Sequence, residues 1–255
     1  MFNVNNKNIL ITGATSGIGK ESALALAKMG ANITFIARNK VKAENLLNDM
    51  NKISSGQNSF IIADLSSQKD IKAASEDYIN KNISLDILLN NAGLINFKRR
   101  ETIDGLEETF ALNHLAYFSL TNLLLDKIKE SGSARIVNVS SGAHQFVKRM
   151  NFDDIQSEKS YKPFQVYGYT KLANILFTKK LSSILKDKKI SVNCLHPGVV
   201  EPLLDKIIVT ILTKFYHLSL NHLCVLLKKV QKHLFIYVLR QMYQIFLVNI
   251  FIIVG

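Results

Sequence analysis

Apolar residues in the first two hundred positions fall into short continuous runs that are rich in isoleucine and valine. These runs predict six strands, at residues 7–12, 32–37, 59–63, 85–89, 134–139 and 190–195. Continuous rather than alternating apolar runs are typical of strands buried on both faces of a parallel sheet. Segments of helical length and period lie between them, among them residues 18–29, 68–79, 106–129 and 166–185.

The regular alternation of strands and helices indicates the fold class. Repeated βα units build a parallel sheet whose right-handed crossovers place helices on both faces. We therefore expect an α/β protein with a doubly wound, Rossmann-like sheet in residues 1–200. In such sheets ligands bind at the carboxyl ends of the strands, so functional residues should follow the strands directly.

The C-terminal part of the chain follows a different pattern. Residues 206–255 contain no Asp or Glu, and their only glycine is Gly255. A folded α/β domain needs turn-forming residues between strands and helices, so we expect residues 201–255 to be an atypical apolar and basic segment. Three interpretations remain open: a membrane span at residues 234–254, an amphipathic helix on a membrane or partner, or an altered C-terminus that does not complete the fold.

The composition excludes several classes of protein. With 255 residues, of which 47% are hydrophobic and 20% charged, the chain is globular rather than disordered. Its two cysteines cannot form a disulfide framework, which favours a reducing compartment. The net charge of +12 is scattered without a nucleic-acid-binding motif, so we expect no nucleic-acid partner.

The N-terminal residues and the histidines bear on location and on metal binding. The first residues contain no long apolar run, so we expect no signal peptide or N-terminal anchor, and a location in the cytoplasm or on the cytoplasmic face of a membrane. His217, His222 and His233 have neither a regular spacing nor carboxylate partners. We therefore expect no metal site.

A glycine-rich turn follows the first predicted strand and leads into the first predicted helix. Its residues with candidate binding roles are Gly13, Thr15, Ser16, Gly17, Ile18 and Gly19. Glycines let the backbone approach a pyrophosphate closely, and the helix N-terminus attracts its negative charge. A simple strand-to-helix turn is the alternative, but the position after the first strand favours dinucleotide binding.

The end of the second predicted strand bears on which dinucleotide is bound. An acidic residue there would bond a ribose 2′-hydroxyl, whereas an arginine accommodates a 2′-phosphate. This strand is followed by Arg38, and Lys40 and Lys42 add positive charge. NADP(H) is therefore the expected cofactor, with the alternative that Arg38 is only a solvated surface charge.

Polar residues also follow the third and fourth predicted strands. The candidates are Asp64, Leu65, Asn91, Ala92, Gly93 and, in the next predicted helix, Asn113. Each has a structural alternative, as a helix cap, a turn former or a locally bonded buried amide.

Ser141, Tyr167 and Lys171 are the candidates for the chemistry. Tyr167 and Lys171 are four residues apart on a predicted helix and share one face, whereas Tyr161 and Tyr169 have no lysine one turn later. A nearby ammonium favours the phenolate, and the positive charge of an oxidised nicotinamide ring adds to this effect. We therefore expect a lowered pKa for Tyr167 and a role in exchanging a proton with a carbonyl oxygen. Ser141, directly after the fifth strand, would donate a hydrogen bond to the same oxygen.

The order of these motifs resembles the short-chain dehydrogenase/reductase family, and within it the retinol dehydrogenase-like branch. The resemblance rests on residues 12–19, 90–93, 112–115, 120–125, 135–141, 167–177 and 196–200. It implies a catalytic tetrad of Asn113, Ser141, Tyr167 and Lys171, in which Asn113 holds a water and Lys171 also bonds the nicotinamide ribose.

The same resemblance assigns the cofactor contacts. It places Asp64 and Leu65 beside the adenine, and it places along the rest of the cofactor Asn91, Ala92, Gly93, Tyr167, Lys171, Pro197, Gly198 and Val199. It selects Ser141 rather than Ser140 as the catalytic serine. The chain departs from the family at Pro202, where a hydroxyl residue is usual.

The resemblance implies an NADP(H)-dependent oxidoreductase that interconverts a carbonyl and an alcohol on a lipophilic, retinal-like substrate. Residues 1–200 would form the dinucleotide-binding and catalytic domain, with possible membrane association through residues 201–255. The alternative is a truncated or frame-altered family member that keeps nucleotide contacts without turnover. The sequence leaves the oligomeric state open.

Overall fold

The computed structural model describes residues 3–186 and 188–198. The interpretations of residues 201–255, and the candidate Val199, lie outside this part of the chain. Val4–His196 forms one compact unit, and the remaining residues are grouped into a second. None of the helices in the described ranges combines the length and the apolar character needed to cross a membrane.

Six parallel strands form the sheet in the described part of the chain. Three strands have the predicted bounds, namely β2 (Asn32–Ala37), β5 (Ala134–Val139) and β6 (Ile190–Leu195). The other three differ from prediction by one or two residues, and they are β1 (Asn8–Thr12), β3 (Asn58–Ile62) and β4 (Ile87–Asn90). The strand order β3-β2-β1-β4-β5-β6 confirms the doubly wound, Rossmann-like sheet.

The strand order reverses between β1 and β4, and this position determines where a ligand can enter. Leu10 pairs with Leu88, and Ile11 with Leu89, in parallel register. The chain leaves β1 and β4 on opposite sides, so a crevice opens at their carboxyl ends. Residues directly after Thr12 and Asn90 therefore border the same crevice.

Helices cover the sheet, and most begin near their predicted positions. The first three are α1 (Gly17–Lys28), α2 (Lys40–Asn51) and α3 (Gln68–Asn80). Helix α2 was not among the predicted segments; the Asn39 side chain caps it by accepting from the Lys42 N–H at 2.9 Å. The long helix α7 (Pro163–Ile184) begins three residues before its predicted start, because Pro163 suits the first turn of a helix.

The prediction of one continuous helix over residues 106–129 is wrong. The structure has α4 (Glu108–Phe110), a π-helical turn at Ala111–Leu115, α5 (Ala116–Leu123) and α6 (Leu125–Glu130). The buried carboxylate of Glu107 fixes the start of α4 by accepting from the backbone N–H groups of the next turn. Periodicity does not register a single wide turn, so the sequence pattern still looked continuous.

A chain of buried polar side chains ties the sheet to two of these helices. Asn90 Nδ2 donates to Asn138 Oδ1 at 2.9 Å and to Thr121 Oγ1 at 3.0 Å. Asn138 Nδ2 in turn donates to Thr178 Oγ1 at 2.9 Å. All four residues are buried, so these bonds fix β4 and β5 relative to α5 and α7.

Candidate functional site

The glycine-rich turn brings the chain from β1 into α1 at the edge of the crevice. Gly13 and Gly17 have φ angles of 67° and 53°, which favour glycine. A methyl group on Gly13 would lie 2.7 Å from the Ala92 Cα, and one on Gly19 would overlap the Gly13 carbonyl oxygen. The turn therefore fits tightly against the loop after β4 only because these side chains are absent.

Among the described residues, no side chain caps the N-terminus of α1. The Ser16 side chain makes no capping hydrogen bond, and the first turn contains no acidic residue. A methyl group on Gly17 would meet nothing within 4 Å. Unbonded N–H groups and the positive end of a helix dipole form a suitable site for a phosphate. Thr15 and Ile18 lie half-buried beside it.

Thr12 joins the glycine turn to the loop that follows β4. Its hydroxyl accepts from the backbone N–H groups of Asn91 at 2.8 Å and Ala92 at 3.0 Å. The Asn91 side chain donates back to the carbonyl oxygens of Thr12 and Gly13, at 2.9 and 3.2 Å. Asn91 thus stabilises the turn, which is the structural alternative given for it above. It also borders the crevice.

Arg38 and Asp64 follow neighbouring strands and face each other. Arg38 Nη1 lies 3.5 Å from Asp64 Oδ2, and the arginine side chain is 71% exposed. Partial burial opposes ionisation of Asp64, but hydrogen bonds from Ser66 and the charge of Arg38 outweigh it, so the pKa of Asp64 is lowered. Asp64 is therefore an ionised acceptor, and Leu65 beside it is buried. An exposed guanidinium next to this carboxylate can turn towards a phosphate.

Asn113 lies inside the π-helical turn, where it is fully buried. Its side chain accepts from the Leu94 N–H at 2.8 Å, and donates to the Leu94 carbonyl oxygen at 2.8 Å and to Thr170 Oγ1 at 3.2 Å. Its own carbonyl oxygen accepts from Asn174 Nδ2 at 2.8 Å. π-Turns are frequent at functional sites, and this one points the amide at the loop that contains Gly93.

Ser141 and Ser140 follow β5 but have different surroundings. Ser140 is buried, and its hydroxyl donates to the Lys171 carbonyl oxygen at 2.9 Å. Ser141 is half-buried and caps the 3₁₀ turn Gly142–Phe146, with its hydroxyl accepting from the Ala143 N–H at 3.2 Å. The Ser141 hydroxyl also hydrogen-bonds with the Tyr167 side chain, whereas the hydroxyl proton of Ser140 is engaged with the backbone.

Helix α7 brings Tyr167 and Lys171 against the same region. Gly168 allows this packing, since a methyl group there would lie 2.7 Å from the Ala143 carbonyl oxygen. Lys171 Nζ lies 5.4 Å from the centroid of the Tyr167 ring and donates to the Val139 carbonyl oxygen at 3.1 Å. Added to Gly93, a methyl group would lie 3.2 Å from the Asn113 oxygen and 3.6 Å from Lys171 Nζ. Asn113, Gly93, Lys171 and Tyr167 are thus brought together.

Burial governs the titration of Tyr167 and Lys171 in the chain alone. Burial raises the pKa of Tyr167 above its ordinary value, and a hydrogen bond with Ser141 only partly offsets this. In the chain alone the pKa of Tyr167 is thus raised rather than lowered, because desolvation of the phenolate is the largest effect. The lowering expected beside Lys171 and an oxidised nicotinamide stays a prediction. Burial also lowers the pKa of Lys171, to about 8, and the lysine is only 3% exposed.

Tyr161 and Tyr169 make contacts in other parts of the structure. The Tyr161 hydroxyl donates to the Asn96 carbonyl oxygen at 2.9 Å. Tyr169 borders a shallow cleft beside the 3₁₀ turn Phe152–Asp154. Tyr169 is therefore a matched control for substitutions of Tyr167.

His196 adds a contact that the sequence analysis did not assign. The Gly142 N–H donates to His196 Nδ1 at 3.1 Å, which ties the end of β6 to the turn after Ser141. Its position before Pro197 and Gly198 was the available signal, since the motif around that pair was already noted. Pro197 and Gly198 belong to the second unit, where Gly198 has a φ of 83°.

Thr12 and Tyr117 were also missed. The Thr12 hydroxyl lies within the glycine motif, but its two bonds to the loop after β4 depend on tertiary structure. Tyr117 lies four residues after Asn113, and its ring is 5.8 Å from Lys171 Nζ. The i, i+4 spacing was the only sequence signal for this contact.

Known proteins resemble this chain in both sequence and structure. The sequence model of the short chain dehydrogenase family matches residues 7–208. Retinol dehydrogenase 12 of Mus musculus is 41% identical over 197 residues, which are 76% of this chain and 61% of that protein. Polyprenol dehydrogenase of Homo sapiens is 39% identical over 198 residues, which are 75% and 60% of the two chains. The chain thus spans about three fifths of the length of these relatives.

A solved structure shows the same fold with ligands bound. L-sorbose reductase from Gluconobacter frateurii, crystallised with NADPH and L-sorbose, superposes with a TM-score of 0.68 at 25% identity. The match covers 83% of this chain and 76% of the reductase. Together, the family model, the sequence relatives and the sheet order show that this chain belongs to the short-chain dehydrogenase family and is retinol dehydrogenase-like.

Proposed function

We propose that the protein is an NADP(H)-dependent oxidoreductase that interconverts a lipophilic aldehyde or ketone with its alcohol. The observation that carries the proposal is the buried Lys171 ammonium beside the half-buried Tyr167, with Asn113 and Ser141 supplied by separate elements at the same end of the sheet. The matched retinol and polyprenol dehydrogenases support this reaction class. The bound cofactor supplies or accepts the hydride.

The residues at the crevice suit a phosphorylated dinucleotide. The free donors at the start of α1 would hold its pyrophosphate, with Gly13, Gly17 and Gly19 keeping side chains out of the way. Arg38 would hold a 2′-phosphate, and the ionised Asp64 would accept a hydrogen bond from the adenine side. Because members of this family use NAD or NADP, the preference for NADP(H) rests on Arg38.

Tyr167 would donate the proton to the carbonyl oxygen during reduction and remove it during oxidation. Its raised pKa keeps the phenol protonated at neutral pH, which suits the reducing direction. Lys171 would hold positive charge beside the ring as the phenol loses its proton. This charge favours the phenolate and so lowers the barrier to proton transfer.

Ser141 and Asn113 would assist in different ways. The Ser141 hydroxyl, which hydrogen-bonds with Tyr167, would donate its proton to the substrate oxygen, where negative charge develops during reduction. Asn113 has both side-chain atoms engaged with Leu94 and Thr170, so its amide is held firmly in the π-turn. Its role would be to order the region between Gly93 and Lys171 where a relay water would bind.

Exposed aromatic side chains beside Tyr167 support a lipophilic substrate. Phe164 lies one turn before Tyr167 on α7, on the same face, and is 41% exposed. Phe97, in the loop after β4, packs edge-on against it with ring centroids 6.3 Å apart and is 52% exposed. Exposed rings at this position suit an apolar substrate chain.

The test is NADPH-dependent reduction by the purified full chain with a panel of short, long and retinal-like aldehydes. The parent and Tyr169→Phe should turn over lipophilic aldehydes at similar rates. Tyr167→Phe should lose at least a hundredfold in kcat, because it removes only the transferable proton. NADPH affinity should change little in both variants.

Two results would contradict the proposal. A parent chain that binds NADPH without turning over any aldehyde would favour the non-catalytic alternative for this chain. A Tyr167→Phe variant as fast as the parent would move the proton donor to another residue.

A further inference from the structure

Two aromatic rings lie next to the buried ammonium of Lys171. The Nζ atom is 5.4 Å from the centroid of the Tyr167 ring and 5.8 Å from that of the Tyr117 ring. Both distances are within the range in which a cation is attracted to an aromatic ring. Tyr167 shares helix α7 with the lysine, whereas Tyr117 comes from α5. The contact therefore also joins two helices.

The two tyrosines differ in what they can reach. Tyr167 is half-buried, but Tyr117 is 1% exposed and cannot contact a substrate in the crevice. The Tyr117 hydroxyl has no hydrogen-bond partner among the described residues. A buried unpaired hydroxyl is unfavourable, so hydrogen bonding does not explain a tyrosine at this position. What Tyr117 offers to its surroundings is its ring.

An adjacent aromatic ring can stabilise the charged form of Lys171. In the described part of the chain its ammonium forms no salt bridge, and it donates one hydrogen bond, to the Val139 carbonyl oxygen. A buried ammonium without a carboxylate partner tends to lose its proton, and burial does lower the pKa of Lys171 to about 8. The π-electrons of adjacent rings stabilise the charged form without adding a group that would compete for the proton.

Three titratable groups face Lys171, and each is neutral near pH 7. They are Tyr117 from α5, Tyr167 from α7 and Cys194 from β6. Burial raises the pKa of all three, so each is neutral near pH 7. The charge of the Cys194 thiolate raises the Lys171 pKa, but burial of the thiol limits that charge to alkaline pH.

We propose that Tyr117 is a positioning residue whose ring, together with that of Tyr167, forms an aromatic clamp that holds the Lys171 ammonium charged and in place. The clamp affects turnover only if Lys171 serves the proposed carbonyl reduction, so its effect on turnover rests on the proposed function. Its effect on the charge and position of Lys171 is independent of that function. Tyr117 acts through Lys171 and touches neither substrate nor cofactor.

The test measures the Lys171 pKa directly, by ¹³C NMR titration of the full chain with ¹³C-labelled lysine side chains and Lys171→Met to assign the signal. In Tyr117→Leu the ring is lost, and the pKa of Lys171 should fall from about 8 to about 7, a tenfold rise in its acid dissociation constant. Tyr117→Phe keeps the ring and should keep the parent pKa. Tyr117→Met, whose side chain is longer and more flexible, gives a second ringless variant should Tyr117→Leu fail to fold.

Tyr78→Leu is the matched control for loss of a buried ring. Tyr78 is fully buried in α3, and its hydroxyl donates to the Ser84 carbonyl oxygen, so its removal destabilises the core elsewhere. In the Tyr78→Leu variant the pKa of Lys171 should equal that in the parent. The clamp is overturned if the ringless Tyr117 variants keep the parent pKa, if Tyr117→Phe loses it as they do, or if Tyr78→Leu lowers it equally.

Turnover provides a separate measurement. The alkaline limit of NADPH-dependent reduction should move to lower pH in the ringless variants and stay in place in Tyr117→Phe. A parent chain without turnover would overturn the proposed function alone, and the NMR titration would still decide the clamp.

Discussion

Arg38 and Lys171 are the two cations of the site, and they differ most in their contact with water. Arg38 is 71% exposed and keeps one loose carboxylate neighbour, whereas Lys171 is 3% exposed and has none among the described residues. An exposed guanidinium can bind and release a phosphate at little desolvation cost. A buried ammonium keeps its position but becomes sensitive to pH.

Substitution of Arg38 tests the cofactor preference. The parent should bind NADPH at least tenfold more tightly than NADH, which corresponds to about 1.4 kcal/mol. Arg38→Asp should erase or reverse this ratio, because a second carboxylate beside Asp64 repels a 2′-phosphate and can bond a 2′-hydroxyl. Arg38→Lys keeps the charge and should fall in between. Fluorescence titration with both cofactors measures the ratio, and equal affinities in the parent would refute the assignment.

The burial of Lys171 predicts an alkaline limit to reduction. The lysine pKa is lowered from 10.5 to about 8, so the side chain is charged below pH 8 and neutral above it. Because the proton transfer needs this charge, the kcat/KM for NADPH should fall as pH rises through about 8. Lys171→Met should be weakly active and lack this limb. A parent profile that stays flat from pH 7 to about 9.5 would contradict the role given to Lys171.

At the scale of elements, the site depends on the contact between α7 and the turn after β5. Gly168 lies against the Ala143 carbonyl oxygen, and Gly142–Phe146 is the turn that Ser141 caps. Helix propensity alone would favour alanine over glycine at this buried helical position. Close packing is therefore the reason for the glycine, and the placement of Ser141 relative to Tyr167 depends on it.

Gly168→Ala should reduce both stability and turnover. A methyl group 2.7 Å from a backbone oxygen must push the two elements apart, at a cost of about 1–3 kcal/mol in the free energy of unfolding. Turnover should fall at least tenfold, because Ser141 moves away from Tyr167. Ser182→Ala, at an exposed position of the same helix, is the control and should be neutral. Urea denaturation and the reductase assay test this, and a Gly168→Ala variant that matches the control would refute it.

Elements were predictable from the sequence to different degrees. Strands such as β2 and β5 had the predicted bounds, because buried parallel strands leave continuous apolar runs. The region around α4 and α5 did not have the predicted bounds. The Glu107 cap and the π-turn depend on hydrogen bonds made in the folded chain, and the spacing of hydrophobic residues does not reveal these. Motif order placed Tyr167 and Lys171 on one face, but the direction of the Tyr167 pKa depended on burial, which no local pattern reveals.

At the scale of the whole molecule, the crevice joins segments that are far apart in sequence. Three segments border the crevice: the glycine-rich turn, the loop after β4 and the end of β2. Hydrogen bonds of Thr12 and Asn91 hold the first two segments together. A ligand that bridges these segments should stabilise the folded chain as a whole, because it binds only when all of them are in place.

NADPH should therefore raise the melting temperature of the full chain. At a hundredfold excess over its Kd the gain is about 2.7 kcal/mol, which corresponds to a rise of roughly 5–10 °C for a chain of this size. At the same concentration, Arg38→Asp should show a clearly smaller rise, and adenosine should give almost none to either protein. Differential scanning fluorimetry measures the effect. An unchanged melting temperature at saturating NADPH would contradict cofactor binding at the crevice.

The π-helical turn Ala111–Leu115 has a consequence for chain length. It acts as a one-residue insertion between two fixed points, the Glu107 cap and the buried Tyr117. An α-helix turns by about 100° per residue, so deleting one position here would rotate everything on one side of it by that angle. Asn113 and Tyr117 could not then both face inward. The number of residues between the Glu107 cap and Tyr117 is therefore a structural constraint in its own right, separate from the identity of the side chains in between.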